Sequence, residues 1–166
     1  IYDAAAVGRM VPYKGWDTLT QILKKVEKPL KVIIIGDGPL RHEILHRLRQ
    51  THHEIHHIPH ATEEEKKKLL GQARVYINTS RTEGFSITTL EAIALGAQPL
   101  IYDPDGHNAA AELVKTATYG KVARTVEEAA EALANPPRHP PPTDLAQYHI
   151  KNVIDRYEKI LQSIQK

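Results

Sequence analysis

The sequence predicts an α/β domain: a Rossmann-like, doubly wound parallel sheet of about six strands with flanking helices. Three observations carry the prediction. Short apolar runs alternate with amphipathic stretches in a steady rhythm. The run Val32–Ile35 is continuous and β-branched, as suits a strand covered on both faces. And 166 residues with 41% hydrophobic content supply one well-buried core but fall short of two.

In chain order, the run 3–7 reads as the first strand and 16–27 as the helix behind it. The pairs 31–35 with 39–50, 54–58 with 62–72, and 74–77 with 84–95 repeat the unit, and 98–101 gives a fifth strand. After Ile101 the pattern weakens to a short helix near 109–114, a strand near 121–123 and a helix over 126–134. The segment NPPRHPPPTD (135–144) holds five prolines, which exclude helix and central strand alike, so an extended connector is expected. Beyond it, with Thr143 as N-cap, Ile150, Val153, Ile154, Tyr157, Ile160, Leu161 and Ile164 recur at helical spacing. The organisation is thus a main domain over 1–135, a connector over 136–142 and an amphipathic helix over 143–166.

Charge and composition exclude several function classes. Lys and Arg number 22 against 20 Asp and Glu, a net +2, and the basic residues are dispersed, so neither nucleic acid nor an anionic membrane is called for. With no Cys, a disulfide framework, a thiolate metal site and a thiol nucleophile are all excluded. No apolar stretch approaches a membrane span, and the start lacks a signal-peptide layout, which favours the cytosol. Ile1 stands where an initiator Met would, just before the first strand, an arrangement that reads as an excised domain or processed fragment.

Three segments carry chemistry. EGFSITTLE (83–91) follows the strand 74–77 and the loop NTSRT. A helix from about Phe85 would turn Ile87, Leu90, Glu91, Ala94 and Leu95 inward, placing the Glu91 carboxylate on an apolar face. A buried carboxylate needs donors, from a buried ion pair, a capping contact or a ligand. Glu83 lies at the carboxyl end of a strand, where open parallel sheets bind ligands, although it would also complement the helix dipole. Gly84 permits close backbone approach beside it. In VGRMVPYKGW (7–16), Gly8 ends the first strand, and Arg9 and Lys14 share a loop before a helix. Cations beside a helix N-terminus suit a diphosphate, although paired basic loop residues are also ordinary solvated side chains. In the strand order 3-2-1-4-5-6, the Arg9/Lys14 loop and the Glu83 loop would face each other. GDGP (36–39) has only two of the dinucleotide fingerprint's glycines and reads as a tight turn, with Pro39 opening the next helix at its first position. His52, His53, His56, His57 and His60 fall within nine residues around the third strand, but neighbours on a strand point to opposite faces, so no metal is expected there.

The succession VGRMVPYKG, GDGPLR and EGFSITTLEAIALG resembles the C-terminal domain of the group-1 glycosyltransferases, family 4 in the usual classification, over about residues 5–135. The resemblance implies one half of a GT-B fold and a retaining hexosyl transfer from a nucleotide diphosphate sugar. It gives the E-x7-E pair two roles: Glu83 contacts sugar hydroxyls and Glu91 holds the ribose. It assigns Arg9 and Lys14 to the donor diphosphate, and the backbone around Gly84 and Phe85 to the transferred sugar. Ala61 and Lys66, on the loop after the third strand, are implied for the base, and Gly8 and Ser86 complete the donor-contacting set. Where the family shows Gly-Gly-x-x-Glu, this chain has DPDGHNAAAEL (103–113) and departs from the pattern.

The expected partners are a UDP-, GDP- or ADP-sugar and an N-terminal acceptor domain outside these residues, through which any membrane contact would run. No metal or other cofactor is expected, and without the acceptor domain the chain is expected to be inactive. Two other readings fit the same fold: a nucleotide-sugar-binding module without chemistry, and a GT-B relative such as a nucleotide-sugar epimerase.

Overall fold

In the computed structural model, residues 1–136 are described. Six strands, β1 (Tyr2–Val7), β2 (Lys31–Ile35), β3 (Glu54–Ile58), β4 (Ala73–Asn78), β5 (Gln98–Tyr102) and β6 (Lys121–Ala123), form a single sheet in the order β3-β2-β1-β4-β5-β6. Every neighbouring pair is parallel, so this is the doubly wound order that the β-α alternation predicts. The connecting helices are α1 (Trp16–Lys25), α2 (Arg41–Arg49), α3 (Glu63–Leu70), α4 (Ile87–Ala94), α5 (Ala110–Ala117) and α6 (Val126–Ala134). The expected helix over 143–166 and all of the connector but Pro136 lie outside the described residues.

The strands are buried on both faces because alternate side chains feed two cores. Ala4, Ala6, Val32, Ile34, Val75, Ile77 and Leu100 point to one side, where they meet α1, α2 and α6. Ala5, Ile33, Ile35 and Tyr76 point to the other, under α3 and α4, while Ile101 packs against α5. α1 shows how sequence becomes packing. Its Trp16, Leu19, Ile22 and Leu23 recur at helical spacing and are all buried. Those four side chains contribute roughly 6–12 kcal/mol by area, an upper bound. α3 begins with a capping box, in which the Thr62 hydroxyl accepts from the Glu65 N–H and the Glu65 carboxylate accepts from the Thr62 N–H.

Two sequence expectations are corrected. α4 begins at Ile87 rather than Phe85, and its inward residues are Thr89, Ala92 and Ile93. Ile87 is 67% exposed and Leu95 38%, so the stripe through Ile87, Leu90, Glu91, Ala94 and Leu95 does not face the core. Ala92 lets the helix approach the bulky Tyr76 of the sheet, and Ile93 packs separately with Leu113 and Tyr119. Pro39 does not open α2, which starts at Arg41. The intervening turn is held to the β1 loop by Met10 N–H to Asp37 C=O at 2.8 Å and Leu40 N–H to Met10 C=O at 3.1 Å. These bonds fix residues 37–40 in a non-helical path. Among the described residues, no helix is long and apolar enough to cross a membrane.

Candidate functional site at the β1 and β4 carboxyl ends

β1 and β4 lie side by side, yet their chains leave in opposite directions, so the loops that follow them meet at the carboxyl edge of the sheet. After β1 comes a one-turn 3-10 helix, Pro12–Lys14, which Gly15 closes in the left-handed conformation, φ 68°. Two bonds fasten this turn to the β4 loop: Arg81 N–H donates to Tyr13 C=O at 2.9 Å, and the Thr79 hydroxyl donates to Lys14 C=O at 3.3 Å. The Trp16 indole N–H donates to the Arg9 carbonyl at 2.9 Å, and the Arg9 side chain is left exposed. The stem of Lys14 lies over Gly8, where its Cδ would be 3.7 Å from an added Cβ.

The consequence is direct contact between the expected diphosphate loop and the expected sugar carboxylate. Lys14 Nζ donates to Glu83 Oε2 at 2.9 Å and to Oε1 at 3.2 Å, with both side chains about four-fifths buried at 20% and 17% exposure. Glu91 is met by a different cation. Lys66 Nζ, from α3, lies 3.0 Å from Glu91 Oε2 and 2.7 Å from Glu63 Oε2. Burial opposes the charge on Lys66, but the Glu63 and Glu91 carboxylates outweigh it and raise its pKa. The approach of Lys66 to Glu91 is an ion pair without hydrogen-bond alignment, so Oε2 is buried with its hydrogen-bonding capacity unfilled among the described residues. Burial, followed by the charges of Glu83 and Glu91, pushes the Tyr76 phenol well above its ordinary pKa and keeps it protonated.

The remaining sequence candidates sit as follows. Gly84 is exposed, with nothing within 4 Å of where its Cβ would stand, and Phe85 is 46% exposed beside it. Ser86 is buried, holding the left-handed conformation at φ 52° just before α4. Its hydroxyl pairs with Thr89 Oγ1 at 2.7 Å and accepts from Asn78 Nδ2 at 3.4 Å, and its C=O accepts from Thr89 and Leu90 N–H. Ala61 lies between β3 and α3 and packs partly on the smaller apolar cluster. No acidic residue occupies the first turn of α4, leaving its positive end uncompensated from within the helix.

The sequence reading missed a buried polar scaffold behind these groups. Asn108 is 2% exposed: its N–H donates to Asp103 Oδ1, its Nδ2 to Ser80 C=O and its Oδ1 accepts from Ala110 N–H, all at 3.0 Å, and its C=O accepts from Ala111 N–H at 2.9 Å. A backbone bridge between Glu83 and Asn108 ties the departing 103–113 segment to the Glu83 loop. The signal was the polar triplet Asn78-Thr79-Ser80 directly after an apolar strand, each residue buried.

The histidines have separate partners. His53 Nδ1 accepts from Leu30 N–H and its Nε2 donates to Leu23 C=O. His57 Nε2 donates to Gly36 C=O, while His56 and His60 lie against Glu54 and Asp37. No group of three or more His, Asp or Glu among the described residues could hold a metal ion.

Similarity to known proteins supports the same architecture. The chain is 33% identical over 94 residues to the phosphatidylinositol N-acetylglucosaminyltransferase GPI3 subunit of Saccharomyces cerevisiae, covering 52% of this chain and 20% of that protein. It is 32% identical over 95 residues to the O-antigen biosynthesis glycosyltransferase WclY of Escherichia coli, covering 56% and 26%. The chain thus spans about a quarter or less of the length of these curated relatives. Among solved structures, it is similar to the catalytic domain of cholesterol-alpha-glucosyltransferase from Helicobacter pylori, with TM-score 0.66, 17% identity, and 79% and 83% of the two chains covered. It is also similar to Anabaena Alr3699/HepE in complex with UDP and glucose, with TM-score 0.66, 18% identity, and 79% and 37% covered. At these identities the likeness is one of fold, a Rossmann-like half of the GT-B architecture. A family model described as glycosyl transferases group 1 matches residues 2–141, most of the chain, and the chain belongs to that family.

Proposed function

We propose that this chain is the donor-binding half of a retaining glycosyltransferase that moves a hexosyl group from a nucleotide diphosphate sugar to an acceptor. The observation that carries the reading is the pairing of each E-x7-E glutamate with a lysine from a different segment, Glu83 with Lys14 of the turn after β1 and Glu91 with Lys66 of α3, beside open space at Gly84. Cations suit phosphate oxygens, and carboxylates suit sugar and ribose hydroxyls. Glu91 receives the ribose, and Ala61 and Lys66 lie on the side of the base. Glu83 and the backbone at Gly84, Phe85 and Ser86 hold the sugar.

In such a transfer, positive charge develops on the anomeric carbon and negative charge on the departing diphosphate. Lys14, Arg9 and the positive end of α4 stabilise the leaving group, each positioned donor contributing about 2–4 kcal/mol to lowering the barrier, while the Gly8 N–H is already committed to Ile35 C=O. No side chain is assigned as a covalent nucleophile. The reaction further needs an acceptor-binding domain, and the chain's coverage of about a quarter or less of its relatives is consistent with one elsewhere in the protein. The chain by itself binds donor without turning it over.

Titration calorimetry with UDP and GDP tests the reading. An open, one-sided site should bind in the range of about 10–1,000 μM, and Glu91→Gln should weaken UDP and a UDP-sugar equally. No binding at millimolar nucleotide by the folded chain would reject it, as would robust multiple-turnover transfer by the 166 residues alone.

A further inference from the structure

We infer that Glu83 acts as an internal counter-ion for Lys14, so that the empty site is set against a bare nucleoside diphosphate and released by a sugar. The inference rests on the donor-binding reading and deepens it. In the empty site the Lys14 ammonium is committed to both oxygens of Glu83, at 2.9 and 3.2 Å, in surroundings that shield the pair from most of the solvent. A diphosphate arriving alone must take Lys14 from a carboxylate that already satisfies it, and must settle close to the negative charge of Glu83. A sugar changes both terms. Its hydroxyls donate to Glu83, replacing the bonds from Lys14, and the freed ammonium turns to phosphate. Sugar and diphosphate therefore assist one another, and the product that remains after transfer meets the carboxylate again.

The opposite effect is also physically reasonable: Glu83 could help the phosphate by holding Lys14 in place. The structure decides against it. The lysine backbone is already fixed by its N–H to Val11 C=O at 3.2 Å and by the Thr79 hydroxyl on its carbonyl. Its stem runs over Gly8, against the space that a Cβ there would take. Little positional order is lost when the carboxylate goes, so removal of charge competition dominates.

The test uses the 166-residue chain with UDP and inorganic pyrophosphate as probes, read by titration calorimetry, with circular dichroism confirming the fold of each variant. Glu83→Gln should tighten both probes by about ten- to a hundred-fold, the range expected for releasing a charged hydrogen bond. Glu83→Ala should do the same, so the result does not depend on one variant folding. In a Lys14→Gln background the gain from Glu83→Gln should shrink to under about two-fold, because no cation remains to be released. Unchanged or weaker binding in both folded Glu83 variants overturns the counter-ion, as does a gain for UDP without one for pyrophosphate. If the wild type binds UDP and the Glu83 variants show no gain, the counter-ion fails while the donor reading stands; if no variant binds UDP at millimolar concentration, both fail.

Discussion

Gly15→Ala joins the stability of the fold to the position of the phosphate loop. Gly15 sits at φ 68°, and a Cβ there would come within 1.9 Å of Thr79 C=O and 2.8 Å of its carbonyl carbon. Both are backbone atoms and cannot swing aside. An alanine in the left-handed region costs about 1 kcal/mol, and forcing apart packed backbone adds about 1–3 kcal/mol. The sum, centred near 3 kcal/mol, should lower Tm by roughly 10 °C in a domain of this size. Relief comes only by moving the Pro12–Lys14 turn away from β4, and that breaks the bonds from Thr79 and Arg81 which hold Lys14 opposite Glu83. Loss of stability should therefore be accompanied by loss of pyrophosphate affinity. Gly84→Ala is the control, since nothing lies within 4 Å of its Cβ position and its backbone carries no left-handed φ. Its stability should stay within about 0.5 kcal/mol of wild type. Urea unfolding of the two variants side by side measures the contrast, and a Gly15→Ala protein within that same margin would refute the reasoning.

Gly84→Ala should nonetheless weaken a UDP-sugar at least ten-fold relative to UDP in calorimetry, because the methyl occupies the space proposed for the sugar; equal affinities would contradict that placement. Asn108→Ala removes two side-chain bonds and leaves Ser80 C=O and Ala110 N–H buried without partners, so urea denaturation should show a loss of about 2–4 kcal/mol. His53 should make stability depend on pH. Burial, against its bond to Leu23 C=O, holds its folded pKa below 6.5, so the unfolded chain binds more protons. Its contribution is full above that value and is lost as pH falls through the window beneath it; His53→Gln should flatten the fall in urea midpoint between pH 7 and 5.5, and an unchanged slope would reject the assignment.

The strand order was legible because buried parallel strands must be short, apolar and spaced by helices, and β2 and β3 fall on the residues their runs predict. The weaker strand over 121–123 was legible too, since it sits one helix beyond β5. The facing of α4 was not. Apolar residues occur all around that helix, so periodicity alone could not choose between the stripe through Ile87, Leu90 and Leu95 and the observed one through Thr89, Ala92 and Ile93. Nor could the Lys14–Glu83 contact be read, because 69 residues separate the two and only the β1–β4 pairing brings them together. The positions of both on sheet-edge loops followed from the pattern; their mutual neutralisation followed from side-chain geometry that no local window contains. Asn108 lies in the 103–113 segment that departs from the family pattern, and its bonds run to backbone and side-chain groups distant in sequence or internal to its own loop, which no local pattern marks.

The β1–β4 seam also makes the chain divisible. On one side of it lie β1, β2 and β3, contiguous in sequence, and on the other β4, β5 and β6. The link between them passes through Gly71 and Gln72, both exposed. A break there would yield two fragments of three strands each, one carrying Lys14 and Lys66, the other Glu83 and Glu91. Neither fragment would hold a complete ion pair of the site, and each would expose the apolar edge that the other covers. Reassociation would rebuild the sheet and the ligand pocket in one step, so nucleotide binding could serve as the signal of a split-protein complementation pair made from this domain.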